Sequence, residues 1–258
     1  ISAFGWFTET RTNQIRLDSF EIQADPTDRY LIYREIFPND GSGSNIYSTD
    51  AKGKTGWTVH YGPNAAEDDT SGGGWRISRD PLDTSATAAI GVNSNPQLVP
   101  PDNEGYVWHG TGDTGVANIL WTDEYTVDRS EWAVTEIRWT QRNVATDPIR
   151  IAVQIGDDWY ASDEDFAGTG LRSQSLDFTT AQWRSLDFDP GSSLVLGSLT
   201  TLPGTGDITA FGWFTDSRTN TLKLDSFEIR GVPEPAAALL LSLALMAMAA
   251  WRRGAIIA

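Results

Sequence analysis

The chain contains one segment of 24 residues twice, and this repeat constrains its fold more than any other feature. Residues 1–24 and 208–231 are identical at sixteen of 24 positions, with a constant offset of 207. Chance does not produce such a match, so we expect a structural unit of 207 residues. Residues 25–231 then hold one complete unit, and residues 1–24 are expected to close a preceding, truncated one. A unit of this length can enclose one extensive core.

Short runs of apolar and β-branched residues fill this unit, separated by clusters of Gly, Asn, Asp, Ser and Pro. In the run at 133–141, Ile137 and Trp139 fall on one face, and Glu136 and Arg138 on the other. About ten strands are predicted in this way, at 30–37, 56–61, 75–78, 105–109, 116–121, 133–141, 149–155, 183–188, 208–215 and 222–230. Almost no stretch has helical periodicity. We therefore predict an all-β sandwich, specifically a jelly roll.

The second copy of the repeat predicts the orientation of its strands. Residues 208–215 carry apolar side chains on both faces, which is typical of a strand in the centre of a sheet. Residues 216–220 predict a hairpin turn. In 222–230 the apolar positions change parity, so we expect a β-bulge near Asp225 and Ser226 that turns all of them to one core.

The first copy repeats this pattern, so Asp18 and Asp225 are both expected to accept backbone N–H bonds at a bulge. The closing pattern Leu-Asp-Ser-Phe-Glu-Ile at 224–229 resembles the last strand of jelly-roll domains in secreted bacterial proteins. These include concanavalin-like sandwiches and carbohydrate-binding modules. The resemblance implies the same sandwich architecture that the strand pattern predicts.

Residues 232–258 combine three elements in a fixed order. First come Val232, Pro233, Glu234 and Pro235. Because proline restricts φ and lacks an N–H, we expect this segment to be extended, flexible and accessible, and not part of a strand ladder. Next come sixteen uncharged residues, 236–251, which are rich in helix formers. As a helix they span about 24 Å, which suits a transmembrane segment better than a core helix with a polar stripe. Arg252 and Arg253 follow and place the C-terminus in the cytoplasm.

This ordered combination resembles the PEP-CTERM sorting signal of exopolysaccharide-producing Gram-negative bacteria. The resemblance implies that exosortase, an integral-membrane cysteine protease, recognises Pro233-Glu234-Pro235 and removes or exchanges the tail. It also implies an exported protein of the cell surface or extracellular matrix that is first anchored in the inner membrane. An export signal is expected upstream of residue 1. A permanent single-pass anchor is the alternative.

Composition excludes several classes of function. The formal net charge of −16 makes nucleic acid a poor partner. The chain has no cysteine, which excludes disulfides, thiol catalysis and cysteine-based zinc sites.

The sequence predicts a non-catalytic protein. Its only two histidines, His60 and His109, lie in strand-like aromatic contexts typical of structural residues. Carboxylates are abundant, and two of them about 5 to 9 Å apart can hydrolyse glycosides. However, the Glu-x-Asp-x-x-Glu strand pattern typical of sandwich-fold glycosidases is absent.

Two sets of residues are candidates for binding. The chain has eleven tryptophans, and exposed aromatic rings stack on sugars. The best candidates for an exposed sugar platform are two neighbouring pairs, Trp108 with His109 and Trp159 with Tyr160.

Residues 156–165 form an acidic stretch that we expect to be a loop. Calcium prefers such oxygen-rich loops, so four carboxylates are candidate ligands: Asp157, Asp158, Asp163 and Asp165. A solvated acidic loop without metal is the alternative.

Two functions therefore remain open at this point. One is an exosortase-sorted surface or matrix protein associated with exopolysaccharide, in which the repeats act as spacers or adhesive modules. The other is a carbohydrate-binding module with a defined, calcium-dependent or calcium-independent, sugar site.

Overall fold

A computed structural model of the chain describes residues 29–35, 37, 45–68, 75–78, 106–109, 115–143 and 147–234. Within these ranges the backbone forms fifteen strands and one short helix, α1 (Ser48–Thr55). In chain order the strands are β1 (Tyr30–Glu35), β2 (Ile46–Tyr47), β3 (Trp57–Tyr61), β4 (Ala66–Glu67), β5 (Trp75–Ser78), β6 (Tyr106–His109), β7 (Asn118–Thr122), β8 (Trp132–Asn143), β9 (Arg150–Ile155), β10 (Asp158–Ser162), β11 (Gly170–Asp177), β12 (Trp183–Asp189), β13 (Ser193–Thr200), β14 (Ile208–Thr215) and β15 (Leu222–Pro233).

In the described part of the chain these strands form two sheets, and every pair is antiparallel. The seven-stranded sheet has the order β11-β8-β15-β6-β5-β2, and β1 also pairs with β15. The eight-stranded sheet has the order β13-β12-β10-β9-β14-β7-β3-β4. Between the sheets, Trp57 and Trp213 contact Phe227 at ring-centroid distances of 5.6 and 4.8 Å. The predicted all-β sandwich is therefore confirmed.

Each of the ten strands expected from the sequence is present, but the sequence pattern does not predict five others: β2, β4, β10, β11 and β13. β2 and β4 have only two residues each, too few for a periodic signal. β11 and β13 lie at sheet edges, and most of their side chains are exposed or half-buried. A strand at the edge of a sheet has a neighbouring strand on one side only, so fewer side chains cover its own. Its sequence therefore shows little of the usual alternation of apolar and polar residues.

The prediction that residues 208–215 form a central strand is confirmed. β14 lies between β9 and β7, and both of its faces are covered. Phe211 and Trp213 face the main core between the sheets, while Ala210 and Phe214 face a second cluster on the other side of the eight-stranded sheet. Gly212 allows β14 to approach β7 closely, because a Cβ atom there would lie 2.0 Å from the backbone oxygen of Leu120.

The expected bulge in β15 is also confirmed. The pairing of β15 with β8 shifts between Asp225 and Glu228, and Ser226 has a φ of 54°. As a result Leu222, Leu224, Phe227 and Ile229 all lie in the main core. The Asp225 carboxylate accepts the Ser226 N–H at 2.7 Å, as expected, whereas Asp18 lies outside the described residues.

The prediction that residues 216–220 form a hairpin turn is wrong. β14 and β15 belong to different sheets, so this segment crosses from one sheet to the other. The Asp147 carboxylate holds the crossing by accepting the N–H groups of Thr219 and Asn220 at 3.1 and 3.0 Å. A hairpin fails here because both edges of β14 are already paired, one with β7 and the other with β9, so no edge is left for β15.

The expectation that the Val232–Pro235 segment is free of any strand ladder is wrong for its first residues. Val232 and Pro233 end β15 and pair with Ala133 and Trp132, and the Glu234 N–H donates to the Glu131 carbonyl at 2.8 Å. Pro233 is tolerated because, among the described residues, β1 pairs with β15 only as far as Gly231, so no described strand on that side needs the N–H that proline lacks.

Residues 1–24, the rest of the tail from Pro235 and the predicted apolar helix at 236–251 with Arg252 and Arg253 lie outside the described residues. Among the residues that are described, no helix is both long and apolar enough to cross a membrane.

The second cluster lies on the face of the eight-stranded sheet that is turned away from the main core. The turn between β12 and β13 touches the turn between β3 and β4, where the Gly191 N–H donates to the Ala65 carbonyl at 2.9 Å. The space so enclosed holds aromatic side chains and one histidine: Phe188, Phe214, Trp121, Trp159 and His60. The His60 Nδ1 atom accepts the Trp121 Nε1–H at 3.0 Å, and burial lowers the pKa of His60.

We expect Gly212→Ala to destabilise the protein by about 1–3 kcal/mol, because the added methyl group collides with the backbone of β7 at Leu120 and Trp121. Urea unfolding followed by tryptophan fluorescence measures this. Gly53→Ala in α1, where an added Cβ meets nothing within 4 Å, is the matched control. A Gly212→Ala variant as stable as the Gly53→Ala variant contradicts the close approach of β14 to β7.

We expect the stability of the protein to fall as the pH drops below about 6.5, because unfolded His60 binds a proton there while buried His60 does not. The nearby charges of Glu67 and Lys52 act on the pKa of His60 in opposite directions, and burial is the largest influence. His60→Gln keeps an acceptor for Trp121 but cannot titrate. Its free energy of unfolding should therefore vary less than that of the parent between about pH 7 and pH 5.5. Equal slopes for both proteins refute the role of His60.

Candidate functional site

The expectation that Trp159 and Tyr160 form an exposed platform is wrong. Only 6% of Trp159 and 8% of Tyr160 is exposed. The two residues point to opposite sides of β10, Trp159 into the second cluster and Tyr160 into the main core. Both sides of this strand are covered, so its alternation gives no exposed face.

His109 and Trp108 are separated by the alternation of β6. His109 is buried, and its Nε2 atom lies 3.5 Å from the Asp68 carboxylate. Trp108 points to the outer face of the seven-stranded sheet and is half-buried. Of the four candidate sugar-binding residues, Trp108 is therefore the one that the fold leaves available to a ligand.

The four candidate calcium ligands do not form one loop, because β10 runs through the middle of the acidic stretch. Asp157 lies in the turn before β10 and Asp158 is the first residue of that strand, whereas Asp163 and Asp165 follow the strand, about 16 Å further along. The earlier interpretation of residues 156–165 as one loop is thus wrong. Trp159 and Tyr160 supply the apolar residues of the strand, and the flanking carboxylates hide this in the sequence.

Arginines engage the two carboxylates that follow β10. Arg184 pairs with Asp163 at 2.6 Å, and Arg150 pairs with Asp165 at 3.6 Å. Within the described ranges, no three side chains of His, Cys, Asp or Glu are grouped so that they could hold a metal ion. Asp163 and Asp165 are therefore partners of arginine in this structure.

A groove of about 540 Å³ opens at one end of the sandwich, between the two sheets. Its residues come from β8 and the segment before it, from β12, from β13, from the turn between β11 and β12, and from the segments that follow β13 and β15. It is lined by Arg129, Trp132, Ala133, Val134, Phe178, Thr179, Ala181, Gln182, Trp183, Leu199, Thr200, Thr201, Leu202, Pro203, Gly204 and Glu234. We call this set the terminal groove.

Aromatic side chains form the apolar part of the terminal groove. Phe178 and Trp183 are buried and pack edge to face at 5.2 Å, so they form a rigid base. Trp132 is half-buried, and its ring lies 5.9 Å from that of Tyr30, which is 53% exposed. Trp132 is thus the tryptophan through which the groove presents an accessible aromatic surface.

Hydrogen bonds fix the walls of the terminal groove. Arg129 Nη1 donates to the carbonyls of Pro203 and Gly206 at 3.0 and 3.2 Å, which holds the segment after β13. On the other wall, the Asp177 carboxylate accepts the N–H and the hydroxyl of Thr179 at 2.9 and 2.6 Å. The Thr179 hydroxyl thereby lowers the pKa of Asp177. The groove is therefore preorganised.

The charges in the terminal groove are balanced. Burial lowers the pKa of Arg129, and the carboxylates of Asp207 and Glu234 oppose this shift. Among the lining residues, all of which are described, Glu234 is the only carboxylate. The described lining of the groove can thus stack against a ligand and exchange hydrogen bonds with it.

The sequence pattern does not predict the terminal groove. Trp132, Arg129 and Gln182 carry no local motif, and Glu234 is predicted only as part of the sorting signal. Four separate parts of the chain meet there, so no contiguous pattern could reveal it. The nearest available signal is Trp132 itself, a tryptophan next to a polar turn.

No family model matches the chain, and no curated protein matches it either. Solved structures with some likeness include a family 11 carbohydrate-binding module of a cellulosomal cellulase from Clostridium thermocellum, with 13% identity, a TM-score of 0.39, and coverage of 79% of this chain and 97% of that one. A cleaved adhesin domain of Lys-gingipain from Porphyromonas gingivalis W83 has 14% identity, a TM-score of 0.30, and coverage of 76% and 96%. The enzymatically active domain of tailspike protein 4 of bacteriophage CBA120 has 8% identity, a TM-score of 0.33, and coverage of 68% and 19%. Likenesses with such low TM-scores support neither a fold assignment nor a function for this chain. The assignment of a β-sandwich rests on the observed strand pairing alone.

Proposed function

We propose that the chain is an exported, non-catalytic protein of jelly-roll type that binds a glycan in the terminal groove. One observation carries this proposal: the groove places the half-buried Trp132 beside polar side chains of Gln182, Arg129 and Glu234. A sugar ring has an apolar face that stacks on an indole and hydroxyl groups at its edge that need donors and acceptors. The terminal groove offers both kinds of partner within one cleft.

The size and rigidity of the terminal groove support the same proposal. Its volume of about 540 Å³ lies within the range of small-molecule sites. Arg129 and Asp177 hold the two walls before any ligand arrives, so little ordering remains to be done on binding. Because Arg129 and Glu234 balance each other, an uncharged glycan fits better than an acidic one.

We expect Trp132→Ala to weaken binding of a neutral glycan about tenfold or more, since it removes the aromatic contact. Affinity gel electrophoresis against soluble β-glucan, xyloglucan, galactomannan and dextran identifies the ligand, and calorimetry with its oligosaccharides gives the affinity. Gln182→Ala should weaken binding to a smaller extent.

Trp108→Ala is the matched control, because it removes the same side chain from another part of the molecule. Its affinity for the neutral glycan should equal that of the parent. If Trp132→Ala is folded and binds as tightly as the parent, the groove is not the sugar site. Release of reducing ends during incubation with the polysaccharide argues against a non-catalytic role.

We also propose that exosortase sorts this protein to the cell surface or matrix, where it associates with exopolysaccharide. The tail from Val232 to Arg253 supports this through its resemblance to the PEP-CTERM signal. The strand pairing adds a limit on processing: Val232 and Pro233 belong to β15, and the Glu234 N–H is bonded to Glu131. A cut before Glu234 removes part of this pairing.

We therefore expect the mature C-terminus to lie at Glu234 or shortly after it. Mass spectrometry of the protein recovered from the cell surface identifies the terminal residue. A triple variant with Ala at Pro233, Glu234 and Pro235 should keep its tail, as a control for recognition of the motif. If the parent protein retains residues 236–253, the sorting proposal fails and a permanent anchor replaces it.

A further inference from the structure

A line of alternating aromatic and basic side chains crosses the outer face of the seven-stranded sheet. Tyr47 of β2 pairs with Arg76 of β5, Arg76 with Trp108 of β6, and Trp108 with Lys223 of β15. Residues paired in this way point to the same side of a sheet. We call these four residues the cationic row.

The two cations of the row are held by aromatic rings. The Arg76 guanidinium carbon lies 4.0 Å from the centre of the Trp108 ring and 6.0 Å from that of Tyr47. The Lys223 Nζ atom lies 5.5 Å from the ring of Tyr106. All three distances are in the range of cation–π interactions, which hold a cation in place without neutralising it.

Among the described residues, no carboxylate lies within ion-pair distance of Arg76 or Lys223. The Arg76 Nε atom is also buried without a hydrogen-bond partner in this part of the chain. This is unusual in a protein whose net charge is −16, where acidic partners are abundant. Several other arginines of the same sheet are paired with carboxylates, as Arg138 is with Glu136 at 2.8 Å.

We propose that the cationic row is a second binding site, which takes a carboxylated polysaccharide. Carboxylates of the ligand supply a countercharge that no described residue gives to Arg76 and Lys223, and the rings of Tyr47 and Trp108 contact its sugar faces. Arg76 and Lys223 are two strand spacings apart, about 10 Å, which is comparable with the length of a disaccharide. The row is therefore long enough to hold two successive acidic units.

Charge density favours an acidic polysaccharide over nucleic acid. Duplex DNA carries one charge per about 1.7 Å and is repelled by a protein of strong net negative charge. An acidic polysaccharide carries its charges further apart, so a small basic row can bind it locally. The tyrosine and tryptophan of the row also suit sugar rings, whereas a duplex presents no free base faces.

The cationic row is separate from the terminal groove. Both sites adjoin β8, but Trp132 begins that strand, while Lys223 lies next to the pair formed by Leu224 and Gln141 near its other end. Nine residues of strand separate Trp132 from Gln141, which corresponds to about 30 Å. The proposal for the row therefore does not rest on glycan binding in the groove.

Affinity electrophoresis and calorimetry with polygalacturonate test this proposal, with dextran as the neutral comparison. We expect the folded parent to bind polygalacturonate at about 10 mM salt and more weakly at about 100 mM, where the screening length has fallen to about 10 Å. Arg76→Gln and Lys223→Gln should each lower the affinity about tenfold, since each removes a charge-assisted contact. Trp108→Ala should also lower it, and Trp132→Ala should leave it unchanged.

Arg172→Gln is the matched control, because it removes the same charge from the exposed edge strand β11. The proposal is overturned if Arg76→Gln and Lys223→Gln bind like the parent, or if Arg172→Gln weakens binding as much as they do. Tighter binding of a DNA duplex or of anionic vesicles than of polygalacturonate also overturns it. Since Trp132→Ala affects only the groove, failure at one site is distinguishable from failure at the other.

Discussion

The packing of Phe227 against Phe211 and Trp213 joins the two sheets, and the rest of the structure depends on it. The ring of Phe227 stacks on Phe211 at 5.4 Å and meets Trp213 edge to face at 4.8 Å. Phe227 can face this core only because the bulge at Asp225 and Ser226 reverses the alternation of β15. Without the bulge, either Leu222 and Leu224 or Phe227 and Ile229 would point to solvent.

The same strand connects the two proposed binding sites. Lys223 lies near the start of β15 in the cationic row, and Glu234 follows its last residue at the terminal groove. The sites differ in charge: Arg129 and Glu234 balance each other in the groove, whereas Arg76 and Lys223 are stacked on aromatic rings in the row. The two proposed sites therefore select for ligands of different charge.

Particular residues show what can be predicted from a sequence of this kind. Where burial follows a simple period, the prediction succeeds: β14 is apolar on both faces and lies inside its sheet, and Ile137 and Trp139 of β8 point inward. Where charged residues interrupt the apolar pattern, the prediction of secondary structure fails. The carboxylates around Trp159 and Tyr160 suggest a loop, but these two residues belong to β10 and are buried on opposite sides of it.

By itself the sequence determined the class of fold and the bulge of β15, because both depend on the order of apolar residues along single strands. Only the tertiary structure decided that β14 and β15 lie in different sheets, that Trp159 is enclosed and that Trp108 faces outward. It alone brought Trp132, Gln182 and Glu234 together in one groove. These features depend on which strands become neighbours, and neighbours are chosen by packing between segments far apart in the chain.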